Sequence, residues 1–203
     1  MRLANISLLV LGLIFTVNLS FSEENKNASA LGLNFGISRK DALEIIKSQG
    51  KEVLEDTVDS KRIRTIMVEG ALIELPVDIS NVNLKTKLEF YDNELMNSSL
   101  VFKSSDILNQ SALEAELLKY LNGLYGAPRG KEELLNMTTW NWYIPDIEVI
   151  LSTNPQNNTA RIDYVYKPIN QSRMEEELEK KEKGEAPDPA KEMFLKGQYS
   201  KPQ

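Results

Sequence analysis

Apolar and polar residues follow two periods along this chain, and the periods alternate. From Ser38 to Gly50, Ala42, Ile45, Ile46 and Gln49 recur at helical spacing, with Leu43 widening the stripe. Ser38 with Asp41 three residues on reads as an N-cap, and Gly50 as the stop. The pattern predicts a helix over 39–49 with one apolar face. Strand-like runs follow at Arg62–Glu69 and Ala71–Leu75, separated by Gly70 and ended by Pro76. Leu84, Thr86, Leu88 and Phe90 then alternate with Lys85, Lys87, Glu89 and Tyr91, the period of a half-buried strand. Asp92-Asn93-Glu94 turns the chain, and Leu95–Lys103 returns as its partner.

The order then recurs. Ser111 with Glu114 reads as a second capping box, opening a helix with Leu113, Leu117, Leu118, Leu121 and Leu124 on one side. Gly123, Gly126 and Pro128 close it. Met137–Ile144, Ile147–Ser152 and Ala160–Tyr166 read as three further strands. The expected fold class is therefore α+β: two similar helix-plus-antiparallel-sheet units in tandem, over 31–103 and 104–167. After Lys167 the pattern fades. Ser172 and Glu175 suggest a helix through Lys183 that is polar on nearly all sides, with Glu176–Lys180, Glu177–Lys181 and Glu179–Lys183 at i,i+4. Gly184–Ala190, holding Pro187 and Pro189, reads as a spacer. Residues 168–203 are thus expected to form a charged tail, part helical and part disordered. Its last apolar residues (Met193, Phe194, Leu195 and Tyr199) read either as a docking motif or as a plain chain end.

The N-terminus carries a different message. Arg2, the apolar run Ile6–Val17 and the small residues Ser20 and Ser22 before Glu23 match an export signal over 1–22. Asn5, Thr16 and Asn18 keep the run shorter than a spanning helix needs. Residues 23–30 read as a polar linker. This places the protein in the periplasm, at the cell surface or outside the cell, with no stable membrane span after signal cleavage.

Composition narrows the chemistry. The chain has no histidine and no cysteine. That removes the Ser-His-Asp and Cys-His catalytic arrangements and zinc sites of the usual kind. It also removes disulfide staples and cysteine lipidation, and an exported chain without disulfides fits a bacterial source best. Formal charge is −6 and basic residues are scattered, so nucleic-acid binding is not expected. Ser48-Gln49-Gly50-Lys51 has a Ser-x-x-Lys spacing, but Gly50 breaks the turn that would bring Lys51 over Ser48. Asp41, Glu44, Asp56 and Asp59 lie close in sequence, with nothing to gather them in one cleft. The Asp78–Asn83 loop carries oxygens but no glycine where a calcium loop needs its tight turn. No metal and no cofactor are expected.

Trp140-Asn141-Trp142-Tyr143 is the densest aromatic cluster. On a strand, Trp140 and Trp142 share a face with Thr138 and Ile144, while Asn141 and Tyr143 look the other way. Two readings stand: the tryptophans pack under the second helix, or they form a stacking platform with Tyr143, Tyr164 and Tyr166 as neighbours. These five aromatics are the candidate binding residues.

The turn Asn34-Phe35-Gly36-Ile37-Ser38, with Asp41-Ala42 and a glycine-ended helix, resembles the opening of small exported bacterial modules. These are the SmpA/OmlA-like module and the tandem repeats of β-lactamase inhibitory proteins. Leu88–Leu95 and Leu121–Pro128 before the tryptophans are similar to their aromatic strand-turns. Ile37 stands where those modules carry methionine, and their lipidation or stapling cysteines are missing. The resemblance implies a non-enzymatic protein that binds other proteins. The function expected is an exported bacterial envelope protein with a protein partner. An adhesin for host matrix and a carboxylate-dependent hydrolase are the alternatives.

Overall fold

In the computed structural model of the chain, residues 28–77 and 81–182 are described. The expected export signal over 1–22, residues 23–27 of the expected linker, the start of the Asp78–Asn83 loop and everything from Lys183 onward lie outside the described residues.

Strands β1 (Ser29–Ala30) and β2 (Leu33–Asn34) pair around Leu31 and Gly32, both at positive φ. The linker expected over 23–30 therefore stops short of Ala28. Ala28 and Ala30 are buried, and the Phe35 N–H donates to the Ala28 carbonyl at 2.9 Å. Leu31 and Leu33 bury their side chains in the core, which offsets the cost of the left-handed turn. Helix α1 (Arg39–Ser48) starts as expected: the Asp41 N–H donates to Ser38 Oγ at 3.2 Å. It ends before Gly50, at φ +66°, and buries Ala42 and Ile46.

The chain then runs through β3 (Val53–Val58), β4 (Arg64–Glu69), β5 (Val82–Tyr91) and β6 (Glu94–Ser104). Helix α2 (Ile107–Tyr125) leads to β7 (Gly130–Leu134), β8 (Met137–Ile144), β9 (Ile147–Asn154) and β10 (Thr159–Tyr166). Helix α3 (Lys167–Glu182) follows directly. Strands β3 to β10 form one antiparallel sheet of eight, in the order β3-β4-β5-β6-β10-β9-β8-β7. The molecule is an α+β fold.

Several expected boundaries move. Residues 71–75 are not a strand; Gly70 at φ +71° turns the chain away, and Leu72 and Val77 anchor the loop in the core. The outer neighbour of β4 is instead β3, whose six residues are all exposed and so carry no alternation. Helix α2 begins a turn before Ser111, because Asp106 accepts the Asn109 N–H at 2.9 Å and caps it. Helix α3 begins at Lys167 and not at Ser172. The β5–β6 hairpin turns on Asp92 and Asn93, both at positive φ, as a tight two-residue hairpin demands.

The register divides the sheet into two faces. Ile66, Leu88, Leu100, Ile162, Leu151 and Trp140 share one, which is the core. Both preceding helices cover that face. From α1, Arg39 reaches Asp56, and Arg64 Nε bonds the same carboxylate at 2.9 Å. From α2, Leu113, Leu117 and Leu121 are buried, Glu114 accepts from Thr153 Oγ1 at 2.8 Å, and Gln110 donates to the Thr159 carbonyl at 3.0 Å. No helix among the described residues is long and apolar enough to cross a membrane.

Candidate functional site: the open face of the sheet

The predicted aromatic residues come first. Period-2 geometry places Trp140, Trp142, Tyr164 and Tyr166 on the core face, and all four are buried. Trp142 is 2% exposed, and its indole N–H donates to the Gly126 carbonyl at 2.9 Å, just past the end of α2. Tyr164 lies beside Tyr125 under the same helix, and burial pushes its phenol far above the usual range. Tyr166 stacks on Phe35, with ring centroids 5.3 Å apart. Only Tyr143 is exposed, on the opposite face. The five aromatics therefore do not make one platform. A tryptophan that buries its ring and satisfies its N–H inside the fold has no face left to stack on a ligand.

The other face is where the sheet meets its surroundings. Strand pairing lays its side chains in rows across the strands. One row runs Glu69, Lys85, Val101, Arg161, Ser152, Thr139 and Glu132. The next runs Glu55, Met67, Lys87, Ser99, Asp163, Ile150 and Asn141. A third runs Thr57, Thr65, Glu89, Asn97, Val165, Glu148 and Tyr143. Most of these side chains are half-buried or exposed.

Charge is sorted across this face. Lys85, Lys87, Lys103 and Arg161 all stand on the three central strands β5, β6 and β10. Glu55 and Glu69 flank them on one side, Glu148 and Glu132 on the other. Two central carboxylates are already committed. Asp163, nearly buried, accepts from Ser99 Oγ at 2.6 Å and from Arg161 Nε at 2.7 Å. Glu89 accepts from Lys87 Nζ at 2.5 Å and from Asn97 Nδ2 at 2.7 Å. Lys85 and Lys103 make no ion pair with another described residue. The centre of the face thus presents unspent positive charge over a rigid polar floor.

Helix α3 is held at one end of this sheet. Tyr91 Oη donates to Glu176 at 2.7 Å, and Lys61 pairs with Glu177 at 3.8 Å. Burial, with the Glu176 carboxylate beside it, pushes the Tyr91 phenol up to about 12. Tyr91 and Met96 are buried outside the main core, in a small satellite at that end.

The acidic residues grouped in sequence do separate work. The Asp41 carboxylate accepts from the capping Ser38 Oγ at 2.8 Å, and Asp59 accepts the Lys61 and Ile63 N–H groups of a turn. Asp56 holds Arg39 and Arg64; burial works to raise its pKa, and the two guanidinium groups outweigh that and lower it. Ser48 Oγ donates to the Ile45 carbonyl at 2.7 Å. Among the described residues no three Asp or Glu side chains are placed to hold a metal ion. Sequence reading missed the central cations as a group, although the alternation of Lys85 and Lys87 with Leu84, Thr86 and Leu88 already put them on one face. No family model, curated protein or solved structure matches this chain.

Proposed function

We propose that this chain is an exported, non-enzymatic protein that binds another protein in the cell envelope or outside the cell, using the open face of its sheet. The observation that carries this reading is that most of one sheet face has no helix over it. Both α1 and α2 lie on the core face, and α3 covers only the Tyr91–Met96 end of the other, leaving most of three cross-sheet rows of side chains there. A broad, rigid face with a cationic centre, acidic flanks and scattered apolar side chains (Met67, Val101, Ile150) has the mixed make-up of a non-obligate protein interface. The export signal read over 1–22 supports the compartment, and the motif resemblance of 34–42 supports the same class of function.

We also propose that the fold is two related units joined edge to edge. The order supports this: α1 precedes β3–β6, α2 precedes β7–β10, and the last strand of each run, β6 and β10, meet antiparallel at the sheet's centre. Such a join makes one wide surface from two narrow ones.

Affinity capture from envelope and secreted fractions tests the binding reading. The full chain is compared with Lys85→Glu and Tyr143→Ser, both on the open face. Loss of the same captured protein with Lys85→Glu is expected. Equal capture by all three proteins removes the open face from the argument, and no partner in either fraction removes the binding function.

A further inference from the structure

Among the described residues the two ends of the sheet are edge strands, and their chemistry differs. An unpaired edge presents a row of backbone N–H and C=O groups that can accept another strand. At one edge, β3 is protected twice: its pairing with β4 is irregular between Val53 and Glu55, and Glu55 and Asp56 stand side by side at its centre. Two copies of β3 paired antiparallel about Glu55 bring Glu55 against Glu55, and about Asp56 bring Asp56 against Asp56. Both registers place like charges directly opposite, which disfavours pairing.

At the other edge, β7 pairs with β8 in unbroken register from Gly130 to Leu134. Its exposed sequence is Gly130-Lys131-Glu132-Glu133-Leu134, followed by Leu135 at 95% exposure. Two copies paired antiparallel about Glu132 set Lys131 opposite Glu133 of the second copy, and by symmetry this happens twice. The same register lays Leu134 across Gly130, where an added Cβ would meet only the Asn141 amide at 3.8 Å, so space is open for it. A slip of two residues in either direction sets Lys131 against Lys131, or Glu133 against Glu133. One register is therefore favoured over its neighbours by charge alone. Its cost is a Glu132–Glu132 contact at the two-fold axis.

We propose that β7 is a self-pairing edge, at which a second copy of this chain adds its own β7 and continues the sheet through both molecules. Leu134, 67% exposed in one copy, is the apolar contact that this pairing covers. Lys131 and Glu133, 2.6 Å apart within one chain, become a four-charge cluster across the axis. Five residues a side make a small interface, so the association is weak and reversible, with a dissociation constant on the order of 10–100 µM.

Sedimentation equilibrium on the full chain, from about 5 µM to about 1 mM, reads this directly. Wild type is expected to pass from monomer to dimer in that range. Lys131→Glu and Glu133→Lys each raise the dissociation constant by about tenfold or more, because each turns two attractive cross-strand pairs into repulsive ones. The double variant Lys131→Glu with Glu133→Lys returns to within a few-fold of wild type. Glu132→Thr, which removes the repulsion at the axis, tightens the dimer several-fold. Far-UV circular dichroism and the thermal midpoint of each variant verify that the fold is kept, since Lys131 Nζ lies 5.8 Å from the Trp140 ring centroid and its substitution alters indole emission by itself. A wild type that stays monomeric at the top concentration overturns the proposal. So does a dimer that ignores the single substitutions, or a double variant no better than the singles.

Discussion

Asp163→Ala isolates the polar floor of the open face from the hydrophobic core beneath it. Asp163 is 5% exposed and takes two hydrogen bonds, from Ser99 Oγ at 2.6 Å and Arg161 Nε at 2.7 Å. Ser99 is fully buried, so removing its acceptor leaves a hydroxyl with no route to water, at a cost of about 1–3 kcal/mol. The Arg161 side chain is 50% exposed and keeps its hydration, so its share is about 0–1 kcal/mol. Asp163→Ala should therefore destabilise by about 2–3 kcal/mol, mostly through Ser99. With a urea slope of roughly 2 kcal/mol per M, the midpoint falls by roughly 1–1.5 M. Emission from Trp140 and Trp142 reports the transition. The Ser99→Ala, Asp163→Ala pair should cost less than the sum of the two single changes by about 1 kcal/mol or more. Full additivity in the cycle would refute the reasoning.

Further outcomes follow from the core, the α1 contact and α3. Leu100→Ala, at a fully buried position in central strand β6, should cost about 2–5 kcal/mol in the same urea titration. Asp56 has a lowered pKa in the folded protein, so its contribution is present above the unfolded carboxylate value and is lost as pH falls through the folded one. The stability gap between wild type and Asp56→Asn should thus be constant near neutrality and close as pH drops below about 4, followed by thermal unfolding across pH. A gap that persists unchanged at the acid end would contradict the pairing with Arg39 and Arg64. Tyr91→Phe removes the bond to Glu176 and should speed amide exchange in α3 while leaving the centre of β5 unchanged; exchange measured by mass spectrometry separates the two segments.

The aromatic cluster shows where sequence reading stops. Alternation alone correctly put Trp140 and Trp142 on one side of a strand and Tyr143 on the other. It could not say which side the helices would cover, because that depends on where α2 lands after its loop. The two edge strands were invisible for a related reason. Residues of β3 meet water on both faces, and β7 is exposed along nearly all its length, so neither carries a period. The start of α2 was misplaced because Asp106 and Ser111 both read as caps and only the folded backbone selects between them, whereas α3 starts early because it continues directly from the end of β10.

By itself the sequence determined what local physics can determine: the Ser38 cap and Gly50 stop of α1, the Asp92–Asn93 hairpin, the half-buried period of β5 and the α+β class. It also determined the absence of imidazole and thiol chemistry. Tertiary structure alone decided the rest. The pairing of β6 with β10 joins residues such as Ser99 and Asp163 that are 64 positions apart. No local pattern encodes such a contact, since its free energy is realised only when both strands are already in the sheet. That single pairing sets which strands become edges, which face stays open and where Lys85, Lys103 and Arg161 gather. The candidate surface is a product of long-range register, built from residues whose individual sequence signals say only that they alternate.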